Sequence, residues 1–232
     1  MITEEQKKAI DCIISIFETG KIPSLASYST CTILKDGAGI SYGKHQSTDK
    51  SGSLDRIVQK YIADGGSKSA ELKPFLDELA ANATAALNPV SPPTWAVGLM
   101  TLLKEAGADP KMQAAQDYVF NEGYWFPAQK AGKDMGLTLP LSYCILYDTA
   151  IHSGPGGIQK IRALFPEGPP AKGGDEKAWC YAYIKARRGW LQGSSNPLVQ
   201  KTIYRMDALK GLADSGAWDL KLPLIVRGVR IT

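Results

Sequence analysis

The sequence predicts a mainly α fold of the α+β class, and three observations carry that prediction. Apolar residues recur at helical spacing through most of the 232 residues. One short stretch near the N-terminus has the pattern of strand, glycine-rich turn and strand. Neither an internal repeat nor a low-complexity tract interrupts the pattern.

The elements follow in order. Thr3-Glu4-Glu5-Gln6 is a capping-box pattern, and Ala9, Ile10, Ile13, Ile14 and Phe17 then recur at helical intervals. A first helix over residues 4–18 that stops at Gly20 satisfies both signals. Thr32-Ile33-Leu34 and Ile40-Ser41-Tyr42 flank Lys35-Asp36-Gly37-Ala38-Gly39, which predicts a short hairpin. Leu54, Ile57, Val58, Tyr61 and Ile62 form the apolar stripe of a second helix, capped near Ser51 or Ser53. Further helices are expected over 72–81, over 95–106 behind Ser91-Pro92-Pro93, and over 111–131 with a break around Gly123. The strongly apolar run 139–153 predicts a central buried helix. Helices over 158–164, 175–191 and 197–215 complete the set, and the tail 222–227 adds one edge strand. The Gly/Pro stretches 154–157 and 167–174 read as loops within a domain.

Composition narrows the class. With 44% apolar and 22% charged residues, the chain reads as a soluble globular protein of one large domain or two lobes around a cleft. The net charge of +4 is spread out, and its densest spot, Lys185-Ala186-Arg187-Arg188, is too small for a nucleic-acid stripe. No apolar run approaches 18 residues, so no membrane insertion is expected. The opening residues carry no apolar signal segment, which reads as a protein made in the cytosol without its own secretory signal. Cys12, Cys31, Cys144 and Cys180 lack metal-ligand spacing and are expected as isolated buried thiols, and there are only two histidines. Neither a metal nor a cofactor is expected, and the protein is expected to be a monomer.

Hydrolysis of a glycosidic bond needs one carboxylic acid to protonate the leaving oxygen and one carboxylate to activate water or attack carbon. Glu18 falls at the C-terminal end of an apolar helix, where the helix dipole and partial burial disfavour its ionised form. Asp36 falls on a glycine-rich turn, where backbone amides can solvate its anion. An acid at a helix end and an Asp before Gly are commonplace, so taken alone these two positions read as ordinary structural ones before they read as catalytic. The aromatic run Tyr124-Trp125-Phe126 reads as core packing before it reads as a sugar platform. Cys144 and His152, eight residues apart on one apolar helix, lie two turns apart and cannot form a nucleophile pair.

The wider spacing is more specific. Seven residues separate Tyr28 from Asp36, Gly39 follows three after Asp36, and Ser41 five after. Together with Glu18, this pattern resembles the signature of the family 46 chitosanases, a branch of the lysozyme superfamily. The blocks Ser51–Leu54, Tyr147–Gly156, Ala182–Arg187 and Tyr204–Asp207 resemble family blocks in family order. The resemblance implies a lysozyme-like, two-lobed helical fold with the small β hairpin beside the active-site cleft, in a single catalytic domain over 1–232. It implies Glu18 as proton donor, Asp36 as the base that activates water, and Ser41 as a hydroxyl that helps hold that water. It further implies that Arg205 pairs with Glu18 and is linked through Asp148 to Arg187 in a buried charge network. The reaction would be inverting, with carboxyls about 6.5–9.5 Å apart.

The sequence also departs from the family. Ala38 stands where the family usually has Arg or Asp, the loop to Gly43 is shorter, and Ser53 takes the place of an acid that grips a glucosamine ammonium. Chitosan is a polycation, so a lost acid and a positive net charge favour an N-acetylated, anionic glycan. Peptidoglycan is therefore expected before chitosan as the polysaccharide substrate, with action on the bacterial wall or outside the cell. The turn Tyr42-Gly43-Lys44-His45-Gln46-Ser47 resembles the glycan-binding turn of several peptidoglycan-cleaving lysozymes. Tyr28, Tyr42, His45 and Gln46 are the substrate-binding candidates, although His45 and Gln46 serve equally well as hairpin caps. A glycan-binding module without hydrolysis is the alternative of another class.

Overall fold

The computed structural model describes residues 2–34, 36–85 and 87–232. The chain forms two compact units, Met1–Ile22 with Gly123–Thr232, and Pro23–Glu122. Helix α1 (Glu4–Thr19) opens the first unit behind the expected capping box: Gln6 N donates to Thr3 Oγ1 at 3.2 Å and Thr3 N to Gln6 Oε1 at 3.0 Å. Gly20, at φ 75°, ends the helix in the left-handed region. Ile10, Ile13, Ile14 and Phe17 line the buried face of α1, each contributing roughly 1.5–3 kcal/mol of hydrophobic stabilisation.

The second unit begins with a 3-10 turn (Leu25–Ser29) and then forms a sheet of three antiparallel strands in chain order, β1 (Cys31–Ile33), β2 (Ile40–Tyr42) and β3 (Ser47–Thr48). Cys31 pairs with Tyr42, Ile33 with Ile40, and Ser41 with Thr48. The expected hairpin is thus present with a third strand added; a two-residue strand is too short for alternation to reveal. Lys35, at the start of the turn between β1 and β2, lies outside the described residues.

The far end of that turn is moored to the loop at residue 84. Ile40 N donates to Thr84 Oγ1 at 2.9 Å, and Thr84 N and Oγ1 donate to the buried Asp49 Oδ2 at 2.9 and 2.6 Å. Gly39 lies so close that an added Cβ would sit 2.4 Å from Thr84 Oγ1 and 2.9 Å from Ala85 N. Its φ of 77° also excludes most side chains.

Helix α2 (Ser53–Ala63) starts after Gly52, with no side-chain cap. Ser51 and Ser53, the expected caps, instead bond Thr48 and each other, because their hydroxyls reach back across the tight turn. The single helix expected over 72–81 is broken into α3 (Ser69–Leu72), a 3-10 turn over Lys73–Phe75, and α4 (Leu76–Ala80). Pro74 accounts for the break, since it donates no backbone hydrogen bond and clashes with the preceding turn. Helix α5 (Thr94–Ala106) follows Pro93, and α6 (Pro110–Gly123) closes the unit. Tyr42, Leu54, Ile57, Tyr61, Leu99 and Leu103 are among its buried core residues.

The chain then returns to the first unit. Tyr124, at φ −135°, breaks the helix where a break was expected, and α7 (Trp125–Asp134) follows. Helix α8 (Pro140–Ser153) is buried on all sides from Pro140 to Ala150 and packs against α1 and α7. Trp125 meets Tyr147 edge-on at 5.1 Å, so it is a core residue, as expected. Around α8 lie α9 (Gly156–Arg162), α10 (Glu176–Gln192) and α12 (Tyr204–Asp214), and the short α11 (Pro197–Gln200) packs on α10. The helix expected over 197–215 is interrupted at Lys201–Ile203, where Thr202 Oγ1 bonds the Val199 carbonyl at 2.6 Å and tightens the turn. The tail forms two strands where one was expected, β4 (Leu224–Val226) and β5 (Val229–Ile231), joined by Arg227-Gly228. Cys31, Cys144 and Cys180 are buried thiols.

Gly39→Ala should destabilise the chain by about 2 kcal/mol or more, combining left-handed strain with the clash at Thr84. Thermal unfolding checks this, and a loss below about 0.5 kcal/mol would show that the mooring is dispensable.

Candidate active site

In the first unit, Glu18 sits in the last turn of α1 with its side chain 43% exposed, less buried than its apolar helix suggested. Arg205 on α12 donates from Nη2 to Glu18 Oε1 at 2.7 Å and from Nη1 to Asp148 Oδ1 at 2.9 Å. Asp148 accepts on its other oxygen from Arg187 Nη1, and Arg187 Nη2 donates to the Asp148 backbone carbonyl at 3.3 Å. Four helices therefore supply one chain of charges, Glu18–Arg205–Asp148–Arg187. Asp148 and Arg187 are fully buried and Arg205 is 4% exposed.

Two carboxylates and two guanidiniums leave this chain formally neutral. Burying any one of the ions alone costs several kcal/mol, so each depends on its neighbours. Burial disfavours the Asp148 anion, but the adjacent Arg187 and Arg205 charges outweigh it and hold the carboxyl below its ordinary range. His152, one turn further along α8, is held below its usual value by burial and then by the charges of Arg205 and Arg187. Its imidazole is therefore neutral at neutral pH.

In the second unit, Asp36 is exposed on its turn, and Ala38 N donates to its Oδ1 at 2.9 Å. Ser41, buried on β2, donates its hydroxyl to Gln46 Oε1 at 3.3 Å. Gln46 is itself exposed, with φ 54°.

Tyr42 needs correction as a substrate-binding candidate. It is 1% exposed and its hydroxyl donates to the Leu103 carbonyl at 2.7 Å, so it belongs to the core beneath the sheet. In the alternation of β2 it points toward α5, and the period of two alone could not tell which face was inward.

Tyr28 and His45 meet at a residue that the sequence did not single out. Asp117 on α6 accepts from Tyr28 OH at 2.7 Å and from Lys44 Nζ at 3.0 Å, and His45 Nε2 lies 3.0 Å from it. Lys44 Nζ also donates to Tyr28 OH at 3.1 Å, and the His45 ring stacks on Phe120 at 3.7 Å. Burial opposes the Asp117 anion, but the His45 bond, the Lys44 charge and the Tyr28 bond outweigh it and hold the carboxyl well below the usual range. Burial, then the bond to Asp117, pushes the Tyr28 phenol up to about 12. Neighbouring Gln116 bonds the Tyr28 carbonyl at 2.9 Å and accepts from Lys44 N at 3.1 Å, fixing the turn after β2 from below. A signal for this cluster was available: buried Gln116 interrupts the apolar stripe Met112, Ala115, Val119 of α6.

A mainly helical chain with small antiparallel sheets, carrying a carboxylate at the end of its first helix tied to a buried arginine, fits a glycoside hydrolase of lysozyme-like fold, and its likeness to known proteins shows that class. The profile of glycosyl hydrolase family 46 matches residues 12–224, and the chain belongs to that family. It is 27% identical over 237 residues to a chitosanase of Bacillus subtilis (strain 168), covering 97% of this chain and 83% of that protein. It is also 27% identical over 187 residues to a chitosanase of Streptomyces sp. (strain N174), covering 76% of this chain and 63% of that one. Among solved structures, the native chitosanase of Bacillus subtilis MY002 matches with a TM-score of 0.77 at 25% identity, covering 100% of both chains. The Gynuella sunshinyii family 46 chitosanase in complex with chitotetraose matches with a TM-score of 0.74 at 28% identity, over 100% of this chain and 98% of that one.

Asp148→Asn should destabilise the fold by about 3–5 kcal/mol, because it leaves the buried Arg187 without a counter-charge and Arg205 with only the half-exposed Glu18. Folding lowers the Asp148 pKa, so its contribution is complete above the ordinary carboxylate value of 3.8 and is lost as pH falls below it. Wild type should therefore lose stability in acid more steeply than Asp148→Asn. Parallel acid limbs in denaturant titrations would refute this.

Proposed function

We propose that the chain is an endo-acting, inverting chitosanase that cleaves β-1,4 bonds of chitosan. Glu18 serves as the acid, Asp36 as the base, and Ser41 as a hydroxyl that helps hold the attacking water. The observation that carries the substrate is the likeness, across nearly the whole chain, to family 46 chitosanases, one of them in complex with chitotetraose. The guanidinium of Arg205 supports the acid role by fixing one oxygen of Glu18, which leaves the other, on a side chain 43% exposed, for a leaving group. The amide of Ala38 supports the base role by fixing one carboxylate oxygen of Asp36 on its exposed turn.

Peptidoglycan, placed first on net charge and on Ser53, gives way to chitosan. A net charge of +4 sums over the whole surface and does not describe the local field that a polycation meets. Ser53 is occupied by its bonds to Thr48 and Ser51, so the missing acid at that position says little about the glycan.

Mass spectrometry of products from chitosan oligomers and from purified sacculi tests the reading. Wild type should shorten the oligomers and release nothing from sacculi, with α-anomers as the first products by NMR. Glu18→Gln should lower kcat by about 10²–10⁴-fold. Muropeptide release, β-anomeric products or an unimpaired Glu18→Gln would each overturn it.

A further inference from the structure

The C-terminal hairpin carries a residue that local rules disfavour. Arg227-Gly228 is a two-residue connection between β4 and β5 with φ of 50° and 81°. Such turns favour Asn or Gly at the first position, because a larger side chain at positive φ is strained. A strained residue is informative when its side chain has a specific engagement, and this one does.

The Arg227 guanidinium lies 3.8 Å from the centroid of the Tyr204 ring. Arg is suited to this contact, since its planar group stacks on an aromatic face. Tyr204 in turn donates its hydroxyl to the Phe17 carbonyl at 2.7 Å. That carbonyl falls in the last turn of α1, where acceptors lose their partners within the helix, and it immediately precedes Glu18. Phe17 and Tyr204 also meet edge-on at 6.3 Å, and the next residue, Arg205, holds Glu18 itself.

We propose that Arg227 is a positioning residue for the catalytic acid. Stacked on Tyr204, it fixes the ring that holds the Phe17 carbonyl, and so sets the direction in which α1 presents Glu18. The inference rests on Glu18 being the acid. Its logic is that the hydroxyl of Tyr204 and the guanidinium of Arg205 grip the last turn of α1 at two adjacent residues, and Arg227 stiffens the first grip.

Arg227→Asn separates this role from a structural one, because Asn suits the left-handed turn better than Arg while lacking the guanidinium. On chitosan oligomers its kcat should fall about three- to thirtyfold, short of the roughly hundredfold that an ångström of misplacement costs. KM should stay within about twofold and Tm should hold or rise. Tyr204→Phe should lose a similar factor, and the double variant should lose less than the product of the two. Unchanged kcat in Arg227→Asn, a rise in KM alone, or full additivity would overturn the proposal. Glu18→Gln run alongside tells the two readings apart. If it is inactive while Arg227→Asn matches wild type, only the positioning role falls; if it retains wild-type kcat, the acid assignment falls and the positioning role with it.

Discussion

The first unit is organised around one carboxylate that cannot leave water unaccompanied. Asp148 lies inside α8 with no solvent exposure, and it is tolerable there only because Arg187 and Arg205 each bond one of its oxygens. Arg205 can reach Glu18 with its remaining amino group because Asp148 already holds the other, so the fork spans two carboxylates. Replacing these groups by apolar residues of similar volume would cost the fold little and could stabilise it. What such a replacement would remove is the bond that fixes the direction of Glu18.

The second unit uses the same physics closer to the surface. Asp117 gathers a phenol, an ammonium and an imidazole, and Gln116 beside it bonds the backbone of both Tyr28 and Lys44. Loops with few apolar contacts open at little free-energy cost. Side chains from α6 supply the order that the short strands β1, β2 and β3 cannot supply by themselves.

How much was legible in the sequence depended on the range of the interaction. The capping box at Thr3, the break before Trp125 and the buried run of α8 rest on neighbours within a few residues, and each is found where expected. The helices over 72–81 and 197–215 were read as continuous because apolar spacing outweighed Pro74 and the back-bonding hydroxyl of Thr202. The third strand and the second half of the C-terminal hairpin were too short for any period to register. In the candidate site, the Glu18, Asp148, Arg187 and Arg205 constellation was legible only through the family resemblance, since the three ion pairs join residues 39, 57 and 187 positions apart. Asp117 escaped for the same reason, being 89 positions from Tyr28. Tyr42 was misread because strand alternation gives two faces without saying which one meets the core.

The all-round burial of α8 bears on motion. A helix enclosed by α1, α7, α9, α10 and α12 has no face from which its amides can be released singly. Hydrogen exchange along its middle turns therefore proceeds only through opening of the whole unit. Asp148 rides on that enclosed segment, so the anchor of Glu18 belongs to the protein's core even though Glu18 itself faces solvent.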